Sequence, residues 1–530
     1  MTVDEGVDEP RAPADQAAAP RQPATLSGRL GSWALDHAHL LGLSLMVVVV
    51  AVSLHRRGIG WGDDWSLYLR QGESLYEGNI GQVIGDNHFN VDNAARPAFS
   101  PYVYPWGFPI LMAPMLRLFG HDWAMLKMVG VVALVVFVWA FHAVVRARLD
   151  RWVAFAVVAV IATSMPYLGH TGFILSELPY MASAAIALWY LDRVRRNGPL
   201  HVAPRGELIT LGLLAVWVFN IRREGLAMIA AIVAAGAFDL WPERRAVRAI
   251  NWRRAFTPLV TFVVGVIGFQ LLLPSALVPQ YEDAGLHQTW RKFTGVWRTD
   301  FGMQLDFPFT EHADLRAALL WIVFTLAMVG IVVRLWRAPR ADIPVVVFAV
   351  GSLLIVGMIP AVSQRYLLTV TPFAVYFATQ AIASIPLPKR AGAWIAIALL
   401  SLLTVNHLTK FPSEIDAARE FNDAGRVQDG PDAPNVEPAF DAVRKYTHQD
   451  DVVAFFKVRL LTYLTGRRGI QASDTPSVLY ERSDFYLMRR QGQGSRPQIS
   501  DDEGAAMGWE IVWEDAEWVL WRLPGTMGDG

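Results

Sequence analysis

What most constrains this chain is the gathering of its apolar residues into long blocks. Predominantly apolar windows fall near 38-55, 123-145, 152-168, 173-191, 207-221, 225-240, 257-274, 317-336, 343-362, 366-386 and 392-406. A hydrocarbon core of roughly 30 Å asks for about 20 helical residues, so these windows predict about eleven transmembrane helices, some completed by flanking residues. With 53% hydrophobic and 18% charged residues in 530, the chain carries more apolar surface than one soluble core takes up. The expected fold class is therefore mainly α, a polytopic membrane protein. The pair within 207-240 is short for spanning and is expected to tilt or to be partly re-entrant.

Basic residues in the connecting loops set the orientation, because Lys and Arg are retained on the cytoplasmic side. Arg146, Arg148 and Arg151, then Arg193, Arg195, Arg196 and Arg205, then Arg244, Arg245, Arg248, Arg253 and Arg254, then Arg334, Arg337 and Arg340, then Lys389 and Arg390 fall in alternate loops. Those loops and the N terminus are predicted inside. An odd number of spans then puts the first outer loop (58-122), the connections near 169-175 and 222-224, the loop 275-316 and everything after about 407 outside. Residues 1-32 hold too few large apolar side chains to offset ordering entropy and read as a disordered cytoplasmic tail. Residues 33-406 form the transmembrane domain. Residues 407-530 are charged throughout without a spanning window, and predict a small extracytoplasmic α/β domain. Its expected elements are a helix at 436-446, a strand across Asp451 to Leu464, and a hairpin pairing Trp509 to Val512 with Trp518 to Leu523.

Two function classes drop out on composition. A formal net charge of -1 with no basic stripe gives nothing to neutralise nucleic-acid phosphates. The absence of cysteine rules out disulfides, thiolate zinc sites and a thiol nucleophile.

On the predicted outer side, charged residues stand out: Asp63 and Asp64, Glu177, Arg222-Arg223-Glu224, and Gln364-Arg365-Tyr366. Each lies at or beside the end of a span, where a charge is costly unless paired, snorkelling or facing an aqueous cavity. Their common level suggests one shared site. After the first span, a helix through Trp61 to Tyr68 would put Asp64 and Tyr68 on one face. A carboxylate there serves as a general base, or else caps a juxtamembrane helix. Tyr102-Val103-Tyr104-Pro105-Trp106-Gly107-Phe108-Pro109 precedes an apolar stretch, Ile110 to Phe119, that is too short to span. It predicts a helix along the outer surface, with aromatic residues at the interface. Arg222, Arg223 and Arg365 carry planar forks suited to phosphate oxygens, and equally to ion pairs with Glu224 or to lipid head groups. Glu177, in Leu175-Ser176-Glu177-Leu178-Pro179, begins a span as a cap or as a site residue.

Four of these segments together resemble the C-type (GT-C) membrane glycosyltransferase superfamily. They are the acidic pair with Tyr68, Tyr104 to Pro109 ahead of its surface helix, Ser176 to Pro179, and Arg365-Tyr366-Leu367-Leu368-Thr369-Val370-Thr371-Pro372. The chain is most similar to the bacterial branch related to protein O-mannosyltransferases and the lipid A aminoarabinose transferase. The likeness covers about 38 to 410, and the tail resembles the small periplasmic domain that some members carry. It implies a bacterial plasma-membrane enzyme making an inverting transfer of a sugar from a polyprenyl-phosphate donor to an envelope acceptor: a lipid, a glycan or a protein. The family's acidic motif usually begins Asp-Glu, with an aromatic residue four positions after the Asp. That register puts the base on Asp64, with Tyr68 at the offset, and keeps Asp63 as the alternative. Trp65 stands where the family's Glu would fall, which leaves a divalent metal ion open as a cofactor. The lysine that some relatives carry near the aromatic-proline motif has no evident counterpart. Donor-phosphate contacts then fall to His88, Arg96 or the arginines above, with Tyr68, Tyr104, Glu177 and Glu224 completing the substrate-binding set. The donor arrives already activated, so no nucleotide loop is required, and the sequence holds no Walker-type loop.

Other classes share some of these features. A lipid-linked-sugar flippase also needs many spans and buried charges, but transporters tend to place substrate near the midplane on broken helices. An O-antigen ligase or polymerase is expected to carry its arginines in a large loop between late spans. A structural envelope protein would work through its tail, where Trp509, Trp513, Trp518 and Trp521 offer an aromatic face for glycan or fill a small core.

Overall fold

The computed structural model describes residues 34-94, 101-241, 251-277, 285-295, 304-307, 312-359, 363-472, 475-490 and 496-524. By contacts the chain divides into 1-42 and 43-530. In the first unit the described residues, 34-42, are helical apart from a turn at His37. The helices are α1 (Ala38–Leu54), α2 (Asp63–Glu77), α3 (Ile80–Asp92), α4 (Gly107–Phe119), α5 (Trp123–Arg146), α6 (Arg151–Thr163), α7 (Met165–His170), α8 (Glu177–Arg196), α9 (Arg205–Ile221), α10 (Leu226–Leu240), α11 (Thr257–Leu272), α12 (Leu286–Thr294), α13 (Ala313–Arg337), α14 (Pro339–Met358), α15 (Thr371–Ala383) and α16 (Ala391–Asp423).

Every apolar window contains a helix, but the windows are not equal. By length and composition, α5, α14, α16 and the Ala317–Arg337 part of α13 are long and apolar enough to cross a membrane; α1, α4, α6 and α11 are apolar and shorter. Two expected spans are interrupted. The 152-168 window breaks at Ser164, whose backbone is extended, and Pro166 then opens α7. The 366-386 window starts as a 3-10 turn, Gln364–Thr369, and becomes α-helical at Thr371 ahead of Pro372. Proline suits the first turn of a helix, where its missing N–H would be unpaired anyway. The short pair at 207-240 is α9 and α10, joined by the 3-10 turn Arg223–Gly225.

The helices pack as pairs: α5 on α8, α9 on α11, α10 on α14, α13 on α15, and α6 on α16. Several arginines expected in loops are buried at one end of this packing. Arg148 is paired with Asp192 and Asp342, Arg334 with Asp342 at 2.6 Å, and Arg195 with Asp239 at 2.7 Å. Charges taken out of water persist only when matched in this way.

Beyond α16 the chain builds a five-stranded sheet from β1 (Val452–Phe455), β2 (Arg468–Gln471), β3 (Phe485–Arg489), β4 (Glu510–Glu514) and β5 (Trp518–Arg522), ordered β2-β1-β3-β5-β4. β1 runs parallel to β2 and β3, while β5 is antiparallel to β3 and β4. The expected hairpin is β4–β5, and the expected helix is α17 (Glu437–Tyr446). The strand expected across Asp451 to Leu464 is present only as β1, Val452–Phe455, and α18 (Val458–Thr465) takes up the rest of the segment. Side chains alternate between two covered faces, as a two-residue period requires. Val453, Phe455, Phe485, Leu487, Trp518 and Leu520 face α17, whereas Val452, Ala454, Tyr486, Met488, Val519 and Trp521 face the other way with Trp509. Trp509, Trp518 and Trp521 are therefore core residues and Trp513 packs against the core, so they do not form the aromatic glycan face that was the alternative expectation.

Candidate active site

The segment between α1 and α2 is held from two directions. The buried Lys127 of α5 donates to the carbonyls of Arg56 and Gly58 at 2.9 and 2.6 Å, and Gln428 donates to the same two carbonyls. Trp61 donates its ring N–H to Asp429 at 3.0 Å and lays its ring against Phe456 and Trp518 of the C-terminal module. This clamp delivers the start of α2, so Asp63 and Asp64 occupy its first turn, where the helix dipole favours negative charge. Tyr68 lies one turn on, buried against Tyr104 and Phe108.

From Asp64 a line of alternating charges crosses the site. Tyr104 Oη donates to Asp64 Oδ1 at 2.5 Å, and Arg365 Nη2 donates to Asp64 Oδ2. Arg365 faces Glu177 at 3.5 Å, Glu177 pairs with Arg222 at 2.9 Å, and Arg222 pairs with Glu224 at 2.8 Å. Ser176 ties this line to α2, since its hydroxyl meets Tyr68 Oη at 3.1 Å and accepts from Arg222 at 3.0 Å. Asp64, Tyr68, Tyr104, Arg222, Glu224 and Arg365 border a cavity of about 830 Å³. Helix termini make the meeting possible: Asp64 begins α2, Glu177 begins α8, Arg222 ends α9, and Arg365 stands before α15.

The two acids differ in electrostatics. Burial pushes the Asp64 carboxyl up, but Arg365, the Tyr104 hydroxyl and Arg459 outweigh it and hold the group below its ordinary value. Burial also pushes Asp63 up, and there it prevails over Lys457 and Arg459. Asp64 is thus the acid whose charge its neighbours favour more, and 26% of its side chain is open beside Arg365.

No family model and no curated protein matches the sequence. Among solved structures, ArnT from Cupriavidus metallidurans bound to undecaprenyl phosphate superposes with a TM-score of 0.54 at 12% identity, over 92% of this chain and 98% of that one. This chain shares the fold of ArnT. The apo state of the same ArnT gives 0.50 at 12% identity, over 93% and 98%. The Archaeoglobus fulgidus oligosaccharyltransferase tethered with an acceptor peptide gives 0.49 at 12% identity, over 86% of this chain and 70% of that one.

Within this fold, Asp63, Asp64, Tyr68, Tyr104, Arg222, Arg223, Glu224 and Arg365 line the same cavity, and Glu177 lies directly behind Arg365 and Arg222. They do not all face it with free donors. Arg223 is committed to the Phe219 and Ala276 carbonyls and the Ser275 hydroxyl, at 3.0, 2.8 and 2.6 Å. His88 stacks on Tyr102 at a centroid distance of 4.3 Å and is not among the lining residues. Arg96 falls outside the described residues.

Sequence reasoning missed Lys457 and Arg459, which reach the cavity from the C-terminal module. A basic pair just after a strand in a charged tail carries no signal of its destination. Tyr366 and Ser176 stand inside segments that the sequence had singled out, but it gave neither of them a role.

The donor set does not fit a divalent metal. Asp64 is occupied by Arg365 and Tyr104, and Asp63 accepts the Arg459 backbone N–H at 3.2 Å with Lys457 3.8 Å away. Among the described residues no three His, Asp or Glu side chains converge for a metal ion. Guanidinium and ammonium groups supply the positive charge instead.

Proposed function

We propose that this chain is an inverting glycosyltransferase of a bacterial plasma membrane, moving a sugar from a polyprenyl-phosphate donor to a hydroxyl of an envelope acceptor at the outer face. The observation that carries the reading is the meeting of Asp64 and Arg365, 301 residues apart in sequence, on one cavity. ArnT, whose fold this chain shares, was solved with undecaprenyl phosphate, and a lipid phosphate is a ligand that the Arg365 fork suits. The loop arginines supply the orientation, with α2, α4 and the C-terminal module outside and the N terminus inside.

In the proposed reaction the acceptor oxygen attacks the anomeric carbon from the face opposite the phosphate. The new C–O bond forms as the bond to phosphate breaks, and that electron pair leaves on polyprenyl phosphate. The acceptor proton passes to Asp64, a step that contributes on the order of 10²-10⁴-fold in typical enzymes. Arg365 and Lys457 face the cavity and stabilise the charge that develops on the phosphate. Arg222 and its two buried carboxylates hold Arg365 in position rather than reach for substrate.

The test is transfer of radiolabelled sugar from undecaprenyl-phosphate hexoses and pentoses into envelope extract by the purified protein. Asp64→Asn is expected to lower turnover by at least about 100-fold while the protein still inserts and folds. Wild-type turnover in that variant would overturn the base assignment. Sugar crossing vesicles without a new glycosidic bond would favour a flippase.

A further inference from the structure

Arg459 is 3% exposed, although it belongs to a module expected to be water-soluble. It sits on α18, which packs against α2. Its guanidinium donates to Pro101 O at 2.6 Å, to Asn87 Oδ1 at 2.9 Å and to Tyr104 Oη at 3.2 Å, and lies over the Tyr104 ring at 5.1 Å. Its backbone N–H reaches Asp63, 396 residues earlier. A guanidinium only donates. The Tyr104 oxygen must therefore accept from Arg459, and the phenolic proton is left to point at Asp64 Oδ1, 2.5 Å away.

We propose that Arg459 is a positioning residue that fixes the Tyr104 proton onto Asp64, which makes the C-terminal module a working part of the active site. The inference rests on the transferase reading above. With Tyr104 on Oδ1 and Arg365 on Oδ2, the Asp64 carboxylate is locked in one plane, and its remaining lone pairs are left for an acceptor hydroxyl. Without Arg459 the Tyr104 hydroxyl is free to rotate, and a displaced general base costs rate rather than donor affinity.

The groups facing Asp64 are Asp63 and Tyr68 from α2, Tyr104 from the irregular segment before α4, Arg365 and Tyr366 from the turn before α15, Arg459 from α18, and Glu177 behind Arg365. Arg459 and the Tyr104 hydrogen bond both hold Asp64 down, so losing either raises it. A base is lost as pH falls through its pKa, and the acid limb of kcat/KM in the variants must therefore move to higher pH.

The experiment uses the full-length protein in lipid nanodiscs, with whichever undecaprenyl-phosphate sugar the wild type consumes. Arg459→Gln is expected to lose about 10- to 100-fold in kcat with donor KM within about twofold, and to shift the acid limb upward. Tyr104→Phe, which leaves the module untouched, should shift the limb the same way, and the double variant should add little to either single one. If Arg459→Gln does not assemble, Tyr104→Phe and Arg459→Lys carry the test, with Arg459→Lys restoring part of the rate. An unmoved acid limb, or fully additive losses that track thermal melting, would reduce Arg459 to a structural tie. Asp64→Asn separates the two claims. If it is inactive while the limb stays put, only this inference fails; if it turns over like the wild type, the assignment of Asp64 as base fails with it; and if the wild type consumes no undecaprenyl-phosphate sugar at all, the transferase reading itself fails.

Discussion

Arg365 and Arg222 both lean on Glu177, yet their surroundings give them different work. Arg222 is 12% exposed and shared between two carboxylates that are themselves 1% and 7% exposed. Such a node is closed, and its loss would leave buried charge unmatched. Arg365 is 27% exposed, and its partner Asp64 is open to the same cavity. Arg365→Ala is therefore expected to raise the donor KM by about tenfold or more, a loss of about 1.4 kcal/mol in binding, and to lower kcat as well because it also releases Asp64 Oδ2, with the acceptor KM changed less than the donor KM. Initial rates with each substrate varied in turn check this, and an unchanged donor response would remove Arg365 from the phosphate site. The acids and arginines of the site were legible because charge at the end of an apolar helix is costly and so conspicuous. Which arginines are free was not legible. The three backbone and hydroxyl acceptors around Arg223 come from α9 and from the chain after α11, and no pattern in the sequence shows that they converge.

Helix α4 shows what a readable motif leaves unsaid. Its boundaries follow from the sequence, because an aromatic-proline segment runs into an apolar stretch that ends at Gly120. The role of its glycine does not. A Cβ on Gly107 would stand 2.6 Å from Asn220 O and 2.7 Å from Ile221 N, the backbone at the end of α9 and directly before Arg222. The two helices touch there through backbone alone. Gly107→Ala is expected to cost about 1–3 kcal/mol of stability through overpacking and to displace Arg222. Thermal unfolding in detergent checks it, and an unchanged melting temperature would mean that the contact yields without cost. α18 fails in the opposite direction. The strand expected across Asp451 to Leu464 runs on through its residues, whereas the better sign is Gly466, which closes the helix in a left-handed conformation at φ 68°. Short apolar runs admit both periods, and here the turn residue decides.

At the scale of the whole chain, the C-terminal module meets the helices before α5 at several places, among them Trp61 against Trp518, Arg459 between Asp63 and Tyr104, Arg468 over Phe89, and Tyr463 with His121 and Glu73. The last contact is titratable. His121 Nε2 lies 2.9 Å from Glu73, and Tyr463 Oη donates to the same carboxylate at 2.8 Å. The hydrogen bond to Glu73 raises His121 above its ordinary value of 6.5, with burial opposing it in part. A group raised in the folded state contributes stability that is fully present below its unfolded pKa and is lost as pH rises through the folded one. The docked module should therefore be tightest below about pH 6.5 and loosen as pH rises beyond it. His121 is half exposed, so solvent screens the pair and the effect is small. It is best read as a difference: wild type minus His121→Gln in melting temperature, or in hydrogen exchange across 458-465, measured from about pH 5.5 to about pH 8.5. The advantage of the wild type should shrink steadily across that range. A difference that stays level would mean that His121 titrates alike in the folded and unfolded chain, and that this triad adds nothing pH-dependent to the docking.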